Sequence, residues 1–173
     1  MSTFTLPQKF QNWINKRNWG LHTHQIDVLT NSDRKSQLLI APTGSGKTLS
    51  GFLPTLIELD RVNFSGLHTV YVSPLKALAA DIKRNLMIPI EEMGLNIKVE
   101  DRTGDTTAKT KRRQRIDPPQ ILLTTPESLA LLISFPEANA LFANLERIII
   151  DEIHALVENK RGHQLLLAIS RLQ

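Results

Sequence analysis

The chain has 173 residues, 41% of them apolar and 22% charged, enough to bury one ordinary globular core without a covalent staple. It contains no cysteine, which excludes a disulfide scaffold, a thiol nucleophile and any Cys-ligated zinc or iron–sulfur site. Lysine and arginine outnumber the acids by 21 to 17, and the net charge of +4 admits a polyanionic partner without demanding one.

The first predicted element is a helix carrying Leu6, Phe10, Trp13 and Ile14 at helical spacing, with Thr5 at the N-cap position and Pro7 just inside. Asn18-Trp19-Gly20 ends it, and a short second helix is expected from Thr23 to about Leu29. Residues 1–10 have neither a basic nor a continuous apolar stretch of the secretory kind, so the expected compartment is the cytoplasm. The longest apolar runs, such as 129–133 and 165–169, fall far short of the roughly 18 residues of a membrane span. From Gln37 onward the texture changes. Short runs rich in Ile, Leu and Val, at 37–41, 69–73, 97–102, 121–124 and 147–151, alternate with helical patterns. The helices are expected at 47–59, 75–93 (with Pro89 kinking or shortening it), 106–116, 126–134 and 162–172. Near-continuous apolar strands between helices predict an α/β fold with a doubly wound, mostly parallel sheet over residues 36–173, preceded by a helical segment over 1–35. Ligands of such sheets bind at the carboxyl ends of the strands.

The first predicted strand runs into Ala41-Pro42-Thr43-Gly44-Ser45-Gly46-Lys47-Thr48 and then a helix, the pattern of a phosphate-binding loop with Ala41 in place of the usual first glycine. Gly44 and Gly46 allow the backbone to curl so that successive N–H groups face phosphate oxygens, and the helix beginning near Lys47 adds its positive end. Lys47 supplies a mobile charge for β- and γ-phosphates, and Thr48 offers a hydroxyl to Mg²⁺. Thr43, Gly44, Ser45, Gly46, Lys47 and Thr48 are therefore the expected ATP-binding residues. The last strand ends in Asp151-Glu152-Ile153-His154. A carboxylate there can hold Mg²⁺ and its neighbour can orient or deprotonate the attacking water, giving Asp151 to the metal and Glu152 to the water. Lys47, Asp151 and Glu152 form the expected catalytic set. His154 is open between coupling the site to a moving neighbour and a structural role.

Residues 109–115 hold five positive charges and no acid, which is either a phosphate-tracking stripe or a solvated helix face. Trp13 and Trp19 are expected to pack rather than to stack on bases.

Ala-Pro-Thr-Gly-Ser-Gly-Lys-Thr followed by Asp-Glu-Ile-His resembles motifs I and II of superfamily 2 nucleic-acid helicases of the DEXH-box type. Between them, Ser73-Pro74-Leu75-Lys76-Ala77-Leu78 looks like motif Ia. Arg102-Thr103-Gly104-Asp105-Thr106 and Thr124-Thr125-Pro126-Glu127-Ser128-Leu129 look like the motifs that grip a single strand. Together with Lys160-Arg161-Gly162, these resemble the Lhr-like group, closest to the ligase-associated helicases of bacterial DNA repair. The resemblance implies a RecA-like lobe that binds ATP and Mg²⁺ and tracks single-stranded nucleic acid, DNA rather than RNA. It implies an adenine-reading role for Gln25, whose amide can both donate and accept, although the stretch before it, which in the group usually carries Pro and Phe, reads Trp19-Gly20-Leu21-His22-Thr23-His24 here. Contacts to the strand would fall on Ser73, Pro74, Lys76, Thr103, Gly104, Thr125 and Pro126, through hydroxyls and backbone N–H groups at helix starts. The resemblance also implies motif III and a second RecA-like lobe with its transition-state arginine, so the chain is expected to be the first lobe of a longer motor, with little or no activity alone. The alternatives are a small P-loop phosphotransferase, an RNA-directed helicase lobe and a non-catalytic nucleic-acid-binding module.

Overall fold

A computed structural model of the chain describes residues 5–32, 34–42, 44–157 and 159–172. They fall into two compact units, Met1–Asn63 with Leu86–Asn96, and Phe64–Asn85 with Ile97–Gln173.

The first unit is helical. It contains α1 (Gln8–Lys16), α2 (Thr23–Thr30), α3 (Lys47–Arg61) and the C-terminal part of α4 (Lys76–Glu92). Pro7, not Thr5, is the residue that precedes α1: its missing N–H is one that the first turn leaves unpaired anyway, and its carbonyl accepts from Phe10 and Gln11 at 3.0 Å. The buried side chains of α1 are Phe10, Trp13 and Ile14, the stripe that the periodicity predicts. Trp13 packs edge-on against Trp19 and donates its indole N–H to Glu92 Oε2 at 2.7 Å. Arg17 lies over the Trp19 ring, 4.8 Å from its centroid, and bonds both Glu92 oxygens. Hydrogen bonds from Arg17, then from Trp13, hold the Glu92 carboxyl below the usual carboxylate range. Both tryptophans thus serve to close the end of α1, as their setting in the sequence suggests. Helix α4 runs through Pro89 and ends at Glu92.

The second unit carries a four-stranded, wholly parallel sheet: β1 (Thr69–Val72), β2 (Val99–Arg102), β3 (Ile121–Thr124) and β4 (Arg147–Ile150), in the order β2-β3-β1-β4. Between and after the strands lie the first part of α4, then α5 (Ala108–Ile116), α6 (Pro126–Ile133), the one-turn α7 (Ala138–Leu141) and α8 (Lys160–Ser170). β1 and β3 are buried along their whole length, as parallel strands covered on both faces must be. Val70, Val72 and Leu122 face Leu129, Leu132 and Ile133 of α6, with Leu165 and Ala168 of α8 in the same cluster. Chain order and spatial order differ: β1 and β3, adjacent in space, are separated by β2 in sequence. Such a reversal needs crossovers in opposite directions, which right-handed connections place on opposite faces.

The run at 37–41 departs from expectation. It forms no strand, and its Leu38 and Ile40 are 72% and 85% exposed. An apolar extended run becomes a strand only where a neighbour offers N–H and C=O groups in register, and the described remainder of its own unit is helix and loop.

Candidate nucleotide and nucleic-acid sites

In the first unit, the loop before α3 has the curl that its glycines predict. Gly44 and Gly46 sit at φ +78° and +77°, a left-handed backbone that residues with a Cβ rarely adopt. Gly46 is also closely approached, since a Cβ built there would lie 2.8 Å from Gln25 Nε2. Ser45 donates its hydroxyl to the Pro42 carbonyl at 2.6 Å, tightening the turn. Lys47, the first residue of α3, folds its ammonium back onto the Ala41 carbonyl at 2.8 Å. The loop therefore gathers a lysine charge and the free N–H groups of a fifteen-residue helix start at one place. A polyphosphate suits this donor set. Thr43 lies outside the described residues.

Gln25 is buried, and its amide is already at work. Its Oε1 accepts from the His22 backbone N–H at 2.9 Å, closing the start of α2, and its Nε2 donates to the Gly46 carbonyl at 3.4 Å. Each end of the amide retains one further hydrogen-bonding position. The His22 and His24 rings stack at 5.3 Å beside it.

In the second unit, Asp151 and Glu152 directly follow β4, at the carboxyl end of the sheet. Parallel register sets Tyr71 of β1 beside Ile149, so its ring shares a face with Asp151 two residues on. The Tyr71 hydroxyl donates to Asp151 Oδ2, and the Glu152 N–H donates to Oδ1 at 2.9 Å. Asp151 is thereby oriented through both oxygens. Burial, then the bond to Asp151, pushes the Tyr71 phenol above its ordinary range. Glu152 has φ +48°, unusual for a residue with a side chain, and its Oε2 lies 3.3 Å from His154 Nδ1. Strain of this kind, of order 1–3 kcal/mol, persists only where surrounding structure holds it. Among the described residues no cluster of three or more His, Asp or Glu side chains gathers for a metal.

The candidate strand contacts divide by exposure. Ser73, Pro74, Thr103, Thr125 and Pro126 are buried, whereas Lys76 and Gly104 are exposed. The three hydroxyls close local turns: Ser73 Oγ accepts from Leu75 N at 3.4 Å, Thr103 Oγ1 from Asp105 N at 3.3 Å, and Thr125 Oγ1 from Ser128 N at 3.4 Å as the N-cap of α6. Short polar side chains at strand ends find these backbone partners before any ligand arrives. Lys76 bonds Asp105 at 3.1 Å, placing the loops after β1 and β2 side by side.

The basic run also divides. Arg113 pairs with Glu100, Arg115 lies 4.0 Å over the Phe135 ring, and Lys111 donates to the Gly104 carbonyl at 2.9 Å. Lys109 and Arg112 are exposed. Arg102 is 2% exposed and turns inward, donating to the Lys111 carbonyl at 2.8 Å and to Gln114 Oε1 at 3.3 Å.

A parallel α/β sheet with acids at a strand end, and a left-handed glycine loop opening a long helix, define the class of P-loop nucleotide-binding proteins. Residues 22–173 match the model of the DEAD/DEAH box helicases, and the chain belongs to that family. It is 44% identical over 151 residues to the ATP-dependent helicase Lhr-Core protein 2 of Thermococcus barophilus, an alignment covering 79% of this chain and 18% of that protein. Among solved structures it is similar to the Mycobacterium smegmatis helicase Lhr bound to ssDNA and AMP-PNP, with a TM-score of 0.85 and 38% identity over 95% of this chain and 22% of that one. It is also similar to the helicase MrfA, with a TM-score of 0.83 and 31% identity over 97% of this chain and 26% of that one. The chain spans about a fifth to a quarter of the length of these relatives.

Proposed function

We propose that this chain is the ATP-binding lobe of a motor that moves along single-stranded nucleic acid, DNA in preference to RNA, and that works in the cytoplasm. The observation that carries the reading is the loop at residues 41–48: two left-handed glycines, a lysine in the first helical turn and a long helix behind it. The named ligands of similar proteins, ssDNA with AMP-PNP on Lhr and DNA on MrfA, support the substrate and cofactor. Among the described residues no helix is long and apolar enough to cross a membrane.

In this reading residues 36–173 are the lobe and 1–35 its helical extension. Lys47 would supply its charge to the β- and γ-phosphates, with Thr43, Gly44, Ser45, Gly46 and Thr48 as the further nucleotide-binding residues. Thr48 and Asp151 would hold Mg²⁺, which would supply positive charge to the phosphates. Glu152 takes a proton from the attacking water, Tyr71 keeps Asp151 aimed, and Gln25 reads adenine through its remaining positions. A second lobe supplies the transition-state arginine, consistent with the fraction of its relatives that the chain spans.

Binding of a fluorescent ATP analogue with Mg²⁺ tests the nucleotide site, and Lys47→Ala is expected to weaken it at least tenfold. In the protein at the length of its relatives, turnover is expected to rise with single-stranded DNA and to vanish in Lys47→Ala and Glu152→Gln. Equal turnover with and without polynucleotide would favour a phosphotransferase instead. Affinity for a single strand is expected to fall as salt rises, because the contacts are to phosphates.

A further inference from the structure

We propose that Arg161 is a positioning residue: it locks the loops after β1 and β3 to the segment that follows the acid pair, so that a single strand meets a preformed surface. The proposal rests on the nucleic-acid reading above. Its basis is one side chain reaching two loops. Arg161 Nη2 donates to the Pro74 carbonyl at 2.6 Å and to Glu127 Oε2 at 3.2 Å, while Nε donates to Glu127 Oε1. Pro74 follows β1, and Glu127 lies in the first turn of α6, directly after Thr125 and Pro126. A planar guanidinium can serve both acceptors at once, whereas a lysine ammonium on its single stem lacks the fork that grips a carboxylate.

The root of Arg161 is itself fixed. Asn159 accepts from Gly162 N at 3.1 Å and donates to the Ala155 carbonyl at 2.5 Å. Gly162 lies so close to Leu156 that a Cβ there would stand 1.8 Å from its carbonyl oxygen. The Ala155 N–H in turn donates to the Glu152 carbonyl at 2.8 Å. Hydrogen bonds and close packing therefore run from Glu152 to the turn that bears Arg161, and from its guanidinium to both loops. The pair with Glu127 is partly solvated, with side chains 39% and 48% exposed, so it adds little to global stability and acts on loop placement. Arg161 is the basic partner that the Glu127 carboxylate meets in the first turn of α6. Its hydrogen bond holds the Glu127 carboxyl below the usual carboxylate range, so the fork is intact at neutral pH.

The test is binding of a labelled oligothymidylate to the 173-residue chain by fluorescence anisotropy over about 50–200 mM salt, with hydrogen exchange read alongside. Arg161→Ala and Arg161→Lys are both expected to weaken binding by about three- to tenfold, with the slope of log K against log salt unchanged. Exchange is expected to quicken at residues 75–76 and 127–129 while β1 and β3 stay protected. Glu127→Gln cuts the same fork from its other end, and added to Arg161→Ala it is expected to bring no further loss. Full rescue by lysine together with a slope reduced by about 0.7 in the alanine variant would mean that Arg161 itself touches a phosphate, and would overturn the proposal. Unchanged affinity in both Arg161 variants would also overturn it. If the unaltered chain binds no strand, the nucleic-acid reading fails, and exchange decides the tether by itself: unaltered loop exchange in Arg161→Ala refutes it.

Discussion

Replacing Gly162 by alanine sets two effects of opposite sign against each other. Gly162 is the third residue of α8, where alanine would ordinarily gain about 1 kcal/mol of helix propensity. Against this, the new methyl would lie 1.8 Å from the Leu156 carbonyl oxygen and 2.7 Å from its carbon. The first distance is 1.2 Å inside the 3.0 Å limit of real Cβ contacts (3.0 − 1.8), and the obstacle is backbone, which cannot swing aside as a side chain can. Overpacking typically costs about 1–3 kcal/mol, and a clash this deep belongs at the upper end. The expected net loss is about 2 kcal/mol, which for a chain of this length lowers Tm by roughly 4–8 °C. Thermal and urea unfolding followed by circular dichroism measure it. Gly20→Ala is the control, because a Cβ there meets nothing within 4 Å, and its stability should change by less than about 0.5 kcal/mol. A Gly162→Ala variant as stable as the unaltered chain, or more so, would show that helix propensity wins and that α8 does not press on Leu156.

Tyr71 is the chain's single tyrosine, so ultraviolet absorbance follows it alone; no phenolate should appear near the ordinary value of 10.0 while the fold persists. Because its folded pKa is raised, its contribution to stability is complete below about pH 10 and declines above it, and urea midpoints should fall there in the unaltered chain but less in Tyr71→Phe. Arg102→Ala is expected to cost about 2–3 kcal/mol by emptying a buried site and stranding the Gln114 oxygen and Lys111 carbonyl, seen as a lower urea midpoint; a neutral result would place Arg102 outside the core of its unit. Lys109→Ala with Arg112→Ala is expected to leave both the folding midpoint and the salt slope of strand binding unchanged, as befits a solvated face. A slope reduced by about 1.4 would move the phosphate path onto α5.

Local chemistry accounts for what could be read without coordinates. The glycine loop is specified by residues within eight positions of one another, because left-handed backbone, a helix start and a lysine are all short-range properties. The same holds for Asp151-Glu152 at the end of an apolar run, and for Thr125-Pro126 opening a helix. Gln25 shows the boundary. Its capping bond to His22 spans three residues and could be anticipated, whereas its bond to Gly46, twenty-one residues away, could not.

What the tertiary structure alone decided are the pairings between segments far apart in the chain. Tyr71 looks like an ordinary aromatic in a buried strand until parallel register with β4 sets it next to Asp151, eighty residues on. Arg161 reads as one more surface cation until folding brings Pro74 and Glu127 within reach of its fork. Residues 109–115 read as one charge run, and only the neighbours of α5 separate Lys111, Arg113 and Arg115, which are bonded, from the exposed Lys109 and Arg112. Residues 37–41 make the converse point: their apolar pattern favours extension, but a strand also needs a partner edge. Backbone conformation is set by neighbours in sequence, whereas burial, register and side-chain partners are set by which segments meet, and no window along the chain contains that information.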